Sequence, residues 1–550
     1  IRRRDVDALA ERFSGHLEFG TAGIRGLLGA GPARINCLVV RRVSAGLARY
    51  LKATIDRASE RGVVIGFDGR HGSRAFALEA TRVFLAAGLK VYLAPKTVPT
   101  PLTAFAVTHL GAAAGVMITA SHNPPEYNGY KVYWENGAQI IPPHDRGIST
   151  EIEAVDLAQI PTLEPEDGRR TGLLLDLDES VERAYLDAIL DLRLHPDASA
   201  TPLRIAYTPL HGVGARLVEA AFSEAGFEGL QVEPSQRDPD GDFPTVRFPN
   251  PEEEGAMDRV LDLARRMGAE LVLANDPDAD RLAVAVPTED GYQQLSGDQV
   301  GVLLADYLLT EGRAEGRRLV ATTIVSSQLL GKMARAYGVD FVLTLTGFKW
   351  IGNAAIEHKQ RYGSRFVIGY EEALGYSIGE VTRDKDGISA ALLFAELCAV
   401  AKRRGETVRA RLEQIYRRFG LFLTEQMSRV LPGAEGMATM QRIMDSFRSH
   451  PPSEIGGHRV LEVHDVAQGA LGLPPSNVLI FLLEGDRRVV MRPSGTEPKL
   501  KSYYEVCEPI GEDEEFQAAV ARGERALHEL RDAHQAQIDA LTADTERGRG

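Results

Sequence analysis

The sequence predicts an α/β fold: three similar α/β domains followed by a C-terminal α+β domain. A chain of 550 residues has room for roughly three to five domains of about 100–200 residues each. Short apolar runs of strand length alternate with amphipathic stretches of helical length in three successive groups. This alternation indicates parallel α/β units, because parallel strands need crossover helices. After about residue 425 it gives way to a β-rich run and a charged, helix-like tail.

The strand-length runs and the helical stretches between them define the predicted elements. Helical spacing is present at 75–87, 216–225 and 257–267. The predicted strands are 63–67, 90–93 and 115–119 in the first group, 203–207, 229–232 and 270–274 in the second, and 318–324, 340–345 and 365–368 in the third. The predicted domains are residues 1–199, 200–314, 315–423 and 424–550.

Composition argues against several classes of partner. With 77 acidic and 63 basic residues, the formal net charge is −14, which disfavours binding to nucleic acid or to an anionic membrane. No apolar stretch reaches the about 18 residues of a membrane span, and the first residues lack the apolar core of a secretory signal. Cys37, Cys398 and Cys507 are too far apart in sequence for a zinc motif or a disulfide framework, so we expect a reducing cytoplasm.

Each α/β group contains an apolar strand that runs directly into a polar loop. The three loops follow the predicted strands that end near residues 119, 274 and 368. Ligands of open α/β sheets bind outside the carboxyl ends of the strands. We therefore expect all three loops at ligand-facing edges.

The first loop contains Ser121 and His122 within TASHNPP, with Lys131 ten residues after Ser121. A polar turn is one interpretation, because Ser, Asn and Pro are common turn residues. The absence of a GxSxG motif argues against a hydrolase serine. The alternative is a serine that accepts and donates a phosphoryl group, assisted by His122 and Lys131.

The second loop places Asp276, Asp278 and Asp280 at alternate positions after an apolar strand. Three carboxylates can converge on one hard cation, and Mg²⁺ suits them because it leaves coordination positions for phosphate oxygens. An EF-hand is excluded, since position six is Arg281 and position twelve is Pro287. A solvated acidic turn and a phosphatase-type site are the alternatives, and Arg281 supplies a neighbouring cation.

The third loop places Glu371 and Glu372 between glycines at a strand end, where carboxylates can accept hydrogen bonds from sugar hydroxyls. A surface acidic turn is the alternative. Downstream, the run RDKDG precedes an apolar helix. Its acidic residues can cap that helix, or the run can place Lys385 beside a ligand.

The fourth loop, RPSGTEPK, combines Arg492 with the hydroxyls and backbone N–H groups of Ser494, Gly495 and Thr496. These donors suit a phosphate, although a bare β-turn is the alternative and the Walker A pattern is absent. The run 211–216 lacks the third glycine of GxGxxG, which disfavours dinucleotide binding.

Five motifs in order resemble those of the α-D-phosphohexomutase superfamily, the phosphoglucomutase and phosphomannomutase enzymes. They are FGTAGIRG, TASHNP, DPDADR, GYEEALGY and RPSGTEPK, and they extend over roughly residues 15 to 510. The resemblance implies four domains around a central cleft and a cytoplasmic enzyme of carbohydrate metabolism. The EEALGY loop resembles a branch that includes phosphopentomutase-type members as well as bacterial hexose-phosphate enzymes.

The resemblance also implies roles for individual residues. Ser121 would be the phosphoserine, and its oxygen would complete a Mg²⁺ site. The implied catalytic residues are Ser121, His122, Lys131, Arg25 and Lys385; the implied substrate-binding residues are Glu371, Glu372, Arg281, Arg492, Ser494, Gly495 and Thr496; the implied metal ligands are Ser121, Asp276, Asp278 and Asp280. A sugar bisphosphate would be both activator and intermediate.

The implied activity is interconversion of a hexose 1-phosphate and a hexose 6-phosphate, with glucose first and mannose second. Ala373 stands where many hexose-specific relatives carry serine, so a pentose 1-phosphate/5-phosphate mutase is the alternative. A non-catalytic phosphosugar-binding protein and a metal-dependent phosphatase are further alternatives. The expected partner is a small phosphosugar, without nucleic acid or membrane, and the expected state is a monomer or small homo-oligomer.

Overall fold

The structure, a computed structural model, describes residues 6–431, 435–494 and 498–547. The chain divides into two compact units. The first unit comprises residues 1–319 and 347–408, and the second comprises residues 320–346 and 409–550.

The first α/β domain is built on a mixed sheet. Its elements are α1 Val6–Phe13, β1 Ile24–Leu27, α2 Cys37–Thr54, α3 Ala58–Arg61, β2 Val63–Phe67, α4 Ser73–Ala86, β3 Val91–Leu93, α5 Thr100–His109, β4 Ala114–Ile118, β5 Tyr127–Trp134, α6 His144–Glu153, α7 Pro165–Arg170, β6 Leu174–Asp176 and α8 Glu179–Leu190. The strand order is β1-β5-β4-β2-β3-β6. β2, β3, β4 and β6 are parallel, whereas β5 and β1 extend the sheet antiparallel.

The second α/β domain repeats this arrangement with a smaller sheet. Its elements are β7 Ile205–Thr208, α9 Ala215–Glu224, β8 Leu230–Val232, α10 Asp258–Met267, β9 Leu271–Ala274, β10 Ala283–Thr288 and β11 Gly291–Gln294. The order is β11-β10-β9-β7-β8, with β7, β8 and β9 parallel and the other two strands antiparallel. Apolar side chains of α10 pack against β7 and β9.

The next stretch of chain alternates helices and strands again. Its elements are α11 Gly297–Thr310, β12 Arg318–Thr323, α12 Leu329–Tyr337, β13 Asp340–Thr344, α13 Phe348–Tyr362, β14 Arg365–Glu371, β15 Gly375–Ile378 and α14 Gly387–Arg403. In the first unit, β14 and β15 form an antiparallel pair that ends with Glu371 opposite Gly375. Asp386 caps α14 by accepting from the backbone N–H groups of Ile388 and Ser389 at 3.0 and 3.1 Å.

The second unit contains an antiparallel sheet with the order β16-β21-β20-β19-β18-β17. From residue 408 onward the elements are α15 Val408–Phe419, β16 Leu421–Val430, α16 Gly436–Ser449, β17 Glu454–Ile455, β18 His458–Asp465, β19 Leu479–Leu483, β20 Arg487–Pro493, β21 Lys499–Glu508 and α17 Phe516–Arg547. Apolar residues of α16 and α17 form one core with those of β19, β20 and β21.

The observed elements confirm the predicted α/β fold class. Every predicted strand is present, with ends shifted by up to three residues. The prediction of parallel units is incomplete, because antiparallel strands continue the two sheets beyond β4 and β9. Among the described residues, no helix combines the length and the apolar character needed to cross a bilayer. The proposed domain boundaries stay predictions.

Candidate active site

Ser121 lies in a strained turn between β4 and β5. Its φ is +53°, a left-handed conformation that residues other than glycine seldom adopt and that is common at functional sites. The turn is held locally, because the Ser121 N–H donates to Thr119 Oγ1 at 2.8 Å and the Asn123 N–H donates to the Ala120 carbonyl at 3.1 Å. The residue is 4% exposed. The held backbone thus fixes the direction of the Cα–Cβ bond that carries the hydroxyl group.

The acidic loop follows β9 and brings three buried carboxylates together. One oxygen from each of Asp276, Asp278 and Asp280 lies within 4.8 Å of the others. Ala279 turns the chain with φ +57°, and its N–H donates to the Asp276 carbonyl at 2.9 Å. Ser121 Oγ donates to Asp276 Oδ2 at 2.9 Å. The serine loop and the acidic loop, 155 residues apart in sequence, therefore form one site.

The acidic cluster has the donor set of a divalent cation site. Asp278 Oδ1 and Asp280 Oδ1 are buried and accept no hydrogen bond from any residue in the described part of the chain. Buried polar atoms usually have partners, so such oxygens need an explanation. Oxygen ligands of this kind fit Mg²⁺. The residues present therefore fit the cation that the sequence predicts.

Lys131 and Thr100 bind the other oxygen of Asp278. Lys131 Nζ lies 2.8 Å from Asp278 Oδ2 and 3.0 Å from Asp280 Oδ2, and Thr100 Oγ1 donates to Asp278 Oδ2 at 2.6 Å. Burial alone would raise the pKa of Asp278, but the Lys131 ammonium and these hydrogen bonds lower it below its usual range. Asp278 is therefore ionised at neutral pH.

Asp276 has the opposite electrostatic environment. Burial raises the pKa of Asp276 well above its usual range, and the neighbouring carboxylates of Asp278 and Asp280 raise it further. Without added positive charge, Asp276 therefore holds a proton more readily than Asp278 does. A divalent cation bound to the cluster would reverse that preference.

Lys385 reaches the cluster from the loop before α14. Its Nζ lies 3.2 Å from Asp280 Oδ2 and 3.3 Å from Asp384 Oδ1. Asp384 is itself fixed, because Tyr133 Oη and Gln139 Nε2 each donate to its Oδ2 at 2.7 Å. Burial would lower the pKa of Lys385, but Asp280 and Asp384 outweigh it and raise the pKa. Asp386 of the same run caps α14, as one interpretation of the RDKDG run predicts, and the position of Lys385 beside a ligand stays a prediction.

His122 lies beside the Ser121 hydroxyl. Its Nδ1 lies 3.1 Å from Ser121 Oγ. Burial lowers the pKa of His122 well below its usual range, and the positive charges of Arg281 and Arg25 lower it further. A neutral imidazole at this distance can accept the hydroxyl proton.

The remaining predicted residues of the first unit lie around these groups. Arg25 Nη1 donates to Asn123 Oδ1 in the serine loop at 2.8 Å. Arg281 and Gly375 form a backbone bridge, which joins the acidic loop to the Glu371–Glu372 turn. Burial raises the pKa of Glu371 against the opposing charge of Lys385, and the Gly347 N–H donates to its Oε1 at 2.6 Å.

The predicted phosphate loop belongs to the second unit. Arg492 lies near the end of β20, opposite Lys501 of β21, and the Ser494 N–H donates to the Lys499 carbonyl at 2.8 Å. Gly495 and Thr496 lie outside the described residues. The role of this loop stays a prediction.

Sequence reasoning missed four side chains that build the site. Thr100 binds Asp278, and Asp384 binds Lys385. Lys349 Nζ donates to Thr21 Oγ1 in the FGTAGIRG segment, and Arg70 lies beneath the serine loop. One signal could have revealed Arg70: the apolar strand β2 runs into the polar segment DGRHGS, the same pattern that marked the other loops.

Four domain families match the chain in order. They are described as phosphoglucomutase/phosphomannomutase α/β/α domains I, II and III, at residues 16–159, 183–291 and 296–419, and the C-terminal domain, at residues 457–523.

Similar proteins extend over most of the chain. A protein of Schizosaccharomyces pombe named "probable phosphoribomutase" is 39% identical over 92% of this chain and 89% of its own length. A "probable phosphomannomutase" of Haemophilus influenzae is 39% identical over 85% and 92%, and the human phosphopentomutase is 35% identical over 93% and 88%. The crystal structure of parafusin, a phosphoglucomutase from Paramecium, has the same fold, with a TM-score of 0.72, 20% identity and 96% coverage of both chains.

Proposed function

We propose, from the premise that this chain belongs to the phosphoglucomutase/phosphomannomutase family, that it moves a phosphoryl group between two hydroxyl oxygens of one sugar. The observation that carries this proposal is the contact between Ser121 Oγ and Asp276 Oδ2 at 2.9 Å. It puts a nucleophile beside a carboxylate cluster in which Asp278 Oδ1 and Asp280 Oδ1 are buried and have no partner within the described part of the chain. Phosphoryl transfer needs positioned groups and neutralised charge more than covalent catalysis by the protein.

In the first half-reaction, a sugar hydroxyl oxygen attacks the phosphorus of phosphorylated Ser121. The new bond joins phosphorus to the sugar oxygen, and the bond from phosphorus to Ser121 Oγ breaks. The sugar hydroxyl gives up its proton, and Ser121 regains one. The product is a sugar bisphosphate and an unmodified serine.

In the second half-reaction, the bisphosphate presents its other phosphate to Ser121. Ser121 Oγ attacks that phosphorus, the bond to the second sugar oxygen breaks, and this oxygen takes up a proton. His122 Nδ1, at 3.1 Å and neutral, is a group that can accept the serine proton when the Asp276 carboxylate holds the cation instead. Phosphoserine is thereby restored, so no phosphate is lost to water.

Charge neutralisation is the task of the cationic groups around the serine. Lys131 and Lys385 are ammonium ions held on Asp278, Asp280 and Asp384. Asp276, Asp278, Asp280 and the Ser121 oxygen would hold Mg²⁺, which would supply a Lewis acid for the transferring phosphoryl oxygens. Arg25 and Arg281 add positive charge on the same side.

We propose that Glu371 and Glu372 bind the sugar and that Arg492, Ser494, Gly495 and Thr496 bind its second phosphate. Glu371 is already oriented by the Gly347 N–H, which leaves its other oxygen for a hydroxyl. The family resemblance of RPSGTEPK and its density of phosphate donors support the second assignment. The substrate is then a small phosphosugar, and a sugar bisphosphate is required to start turnover.

The first substrate is a hexose phosphate, with glucose before mannose. The test is a coupled assay with Mg²⁺ and a catalytic amount of sugar bisphosphate, offering glucose 1-phosphate, mannose 1-phosphate and ribose 1-phosphate separately. We expect isomerisation without release of inorganic phosphate. Stoichiometric phosphate release would identify a phosphatase, and bisphosphate binding without turnover would identify a phosphosugar-binding protein.

A pentose phosphate is the second candidate, and Ala373 favours it. The residue occupies the tight turn between Glu371 and Gly375, and its methyl group cannot hydrogen-bond a sugar hydroxyl. Two of the relatives above are named for pentose phosphates. We predict that Ala373→Ser shifts the ratio of kcat/KM for glucose 1-phosphate over ribose 1-phosphate toward glucose by about 10-fold. An unchanged ratio would remove this turn from the specificity argument.

We propose a cytoplasmic location from the chemistry of the thiols. Cys37, Cys398 and Cys507 are free cysteines. Free thiols persist in a reducing compartment. Fractionation of cells that express a tagged chain would test this location.

A further inference from the structure

The side chain of Arg70 lies beneath the serine loop and binds its backbone. Arg70 Nη2 donates to the carbonyl oxygens of Ser121 and Asn123, the second at 2.6 Å. Arg70 Nη1 donates to the carbonyl oxygens of Pro124 and Tyr127 at 2.9 and 3.4 Å. One guanidinium group therefore spans the loop from its first turn to the start of β5.

This contact set is more than a means of burying a cation. The Arg70 residue is 4% exposed, and its carboxylate partner Asp68 lies 3.3 Å from Nε without forming a hydrogen bond there. The two terminal nitrogens instead donate to loop carbonyls. A planar guanidinium can bind several carbonyls in a fixed geometry, whereas an ammonium cannot reproduce the fork. The arrangement is specific to arginine.

The loop needs an external restraint because of its backbone. Ser121 has φ +53°, and such conformations persist only where the surroundings enforce them. The Ser121 carbonyl accepts from Arg70, on the opposite side of the residue from the N–H that donates to Thr119. Together the two hydrogen bonds fix the peptide groups on both sides of the nucleophile.

Phe243, from the second α/β domain, covers the guanidinium. Its ring centroid lies 4.9 Å from Arg70 Cζ, and the ring is buried with Leu210 and Val246. A cation over an aromatic face is stabilised most when desolvated, as it is here. The position of Arg70, and through it the serine loop, therefore depends on packing within the second domain.

We propose that Arg70 is a positioning residue that holds the Ser121 loop in the conformation required for phosphoryl transfer, and that Phe243 couples this conformation to the second α/β domain. The proposal rests on the proposed function for its kinetic consequences, but its structural consequence is independent of activity. Arg70 acts through the backbone of Ser121 and does not touch the reacting atoms.

Arg193 is a matched control elsewhere in the first unit. It is buried, it pairs with Glu396 at 3.0 Å, and it donates to the Ala225 and Pro196 carbonyls. The ring of Phe227 lies 5.6 Å from its Cζ. Arg193 therefore has the same kinds of contact as Arg70, without any contact to the serine loop.

The test compares Arg70→Lys with Arg193→Lys in the full chain, by steady-state kinetics and by amide hydrogen exchange of residues 119–127. We expect Arg70→Lys to lower kcat by about 100-fold with little change in KM, and to speed exchange in the loop. Arg193→Lys should leave kcat and the loop exchange unchanged. Equal kinetic losses in the two variants, or unchanged loop exchange in Arg70→Lys, would overturn the proposal.

Two further variants separate the parts of the proposal. Guanidinium ion added to Arg70→Ala should restore at least about 10-fold of the lost kcat, which a general loss of packing would not allow. If Arg70→Ala does not fold, Arg70→Lys decides alone. Phe243→Leu should lower kcat and speed loop exchange, each by less than Arg70→Lys does. If kcat and loop exchange in Phe243→Leu equal those of the wild type, the coupling to the second domain is overturned.

The exchange measurement also distinguishes this proposal from the proposed function. An inactive wild-type chain with fast loop exchange in Arg70→Lys would refute the mutase and support the positioning role. An active wild-type chain with unchanged loop exchange in Arg70→Lys would support the mutase and overturn the positioning role.

Discussion

The buried carboxylate of Glu505 in the second unit and the acidic cluster in the first unit differ in how far their oxygens are hydrogen-bonded. In the second unit, Glu505 has both oxygens filled: Oε1 accepts from Ser327 Oγ and the Gln328 N–H at 2.6 and 2.8 Å, and Oε2 accepts from Gln328 Nε2 at 3.0 Å with Arg488 at 2.9 Å. In the first unit, the acidic cluster leaves Asp278 Oδ1 and Asp280 Oδ1 without a partner among the described residues. Burial alone therefore does not identify a functional carboxylate.

The difference lies in coordination that the protein leaves incomplete. A structural carboxylate recovers the cost of desolvation only when its lone pairs are satisfied. The acidic cluster retains Lys131, Lys385 and Thr100 on one side and keeps oxygens unpartnered on the other. Such an arrangement is costly unless a cation binds, which supports the proposed cation site. Single unpartnered oxygens also occur among the described residues at Asp68 and Glu425, so the convergence of three buried carboxylates is what distinguishes the cluster.

The largest expected effect is that of removing the Ser121 hydroxyl group. Ser121→Ala should lower kcat by at least about 10⁴-fold on every sugar phosphate, because it removes the oxygen that carries the phosphoryl group in the proposed mechanism. Coupled assays and intact-mass measurement after incubation with sugar bisphosphate would check this. Ser180, an exposed residue in the first turn of α8, is the control, and Ser180→Ala should retain turnover. Retained turnover in Ser121→Ala would refute the phosphoserine.

The next effect concerns the filled carboxylate. Glu505→Ala should reduce the free energy of unfolding by about 3–5 kcal/mol, because it leaves the Arg488 charge buried and unpaired. Denaturant unfolding would measure this change. The Mg²⁺ concentration for half-maximal activity should stay the same in the folded protein. A shifted Mg²⁺ dependence would show that Glu505 and the acidic cluster are not separate in function.

A substitution in the acidic cluster should have the opposite effect to Glu505→Ala and change the Mg²⁺ dependence of activity. Asp278→Asn removes a charge from the cation site while keeping an acceptor for Thr100. We expect the Mg²⁺ concentration for half-maximal activity to rise at least about 10-fold, because hard cations prefer charged oxygen ligands. Titration of activity with Mg²⁺ would show this. An unchanged Mg²⁺ requirement would count against the assignment of the cluster as the metal site.

A smaller effect concerns the pH dependence of stability, which a buried histidine should influence. His534 is buried in α17, where Tyr504 Oη lies 2.9 Å from its Nδ1, and burial lowers its pKa to about 3. The unfolded chain binds this proton near pH 6.5 and the folded chain only near pH 3. The free energy of unfolding should therefore fall as the pH decreases from 6.5 to 3.

His534→Gln should make that pH dependence shallower, and His528→Gln, at an exposed position on the same helix, should not. Thermal unfolding at a series of pH values would compare the two variants. Identical pH profiles in His534→Gln and the unaltered chain would contradict the assignment.

The buried strands are predictable from sequence because burial produces unbroken apolar runs, as in Val63–Phe67. The loops after them are predictable because strand ends collect ligand-binding residues. The antiparallel continuation by β5 and β10 is harder to predict, since an apolar run carries no information about strand direction.

The site is predictable where the chemistry is concentrated in one segment, as in Asp276, Asp278 and Asp280. It is not predictable where one side chain serves a distant segment. Arg70 binds carbonyls 51 to 57 residues away, and Thr100 binds a carboxylate 178 residues away. Nothing in the local sequence encodes such pairings.

The contacts of Thr100 have a consequence for which domains of this chain can be exchanged by recombination. Its N–H donates to the Asp278 carbonyl at 2.9 Å and its hydroxyl to the Asp278 side chain at 2.6 Å, although the two residues belong to different α/β domains. Each domain has a sheet of its own and looks modular. An exchange of the first domain with that of a distant homologue would nevertheless replace both Thr100 and Lys131, the side chains that bind Asp278 Oδ2, and an exchange of the second would replace Asp278 itself. Recombination within this lineage should therefore preserve the first two domains as a single block.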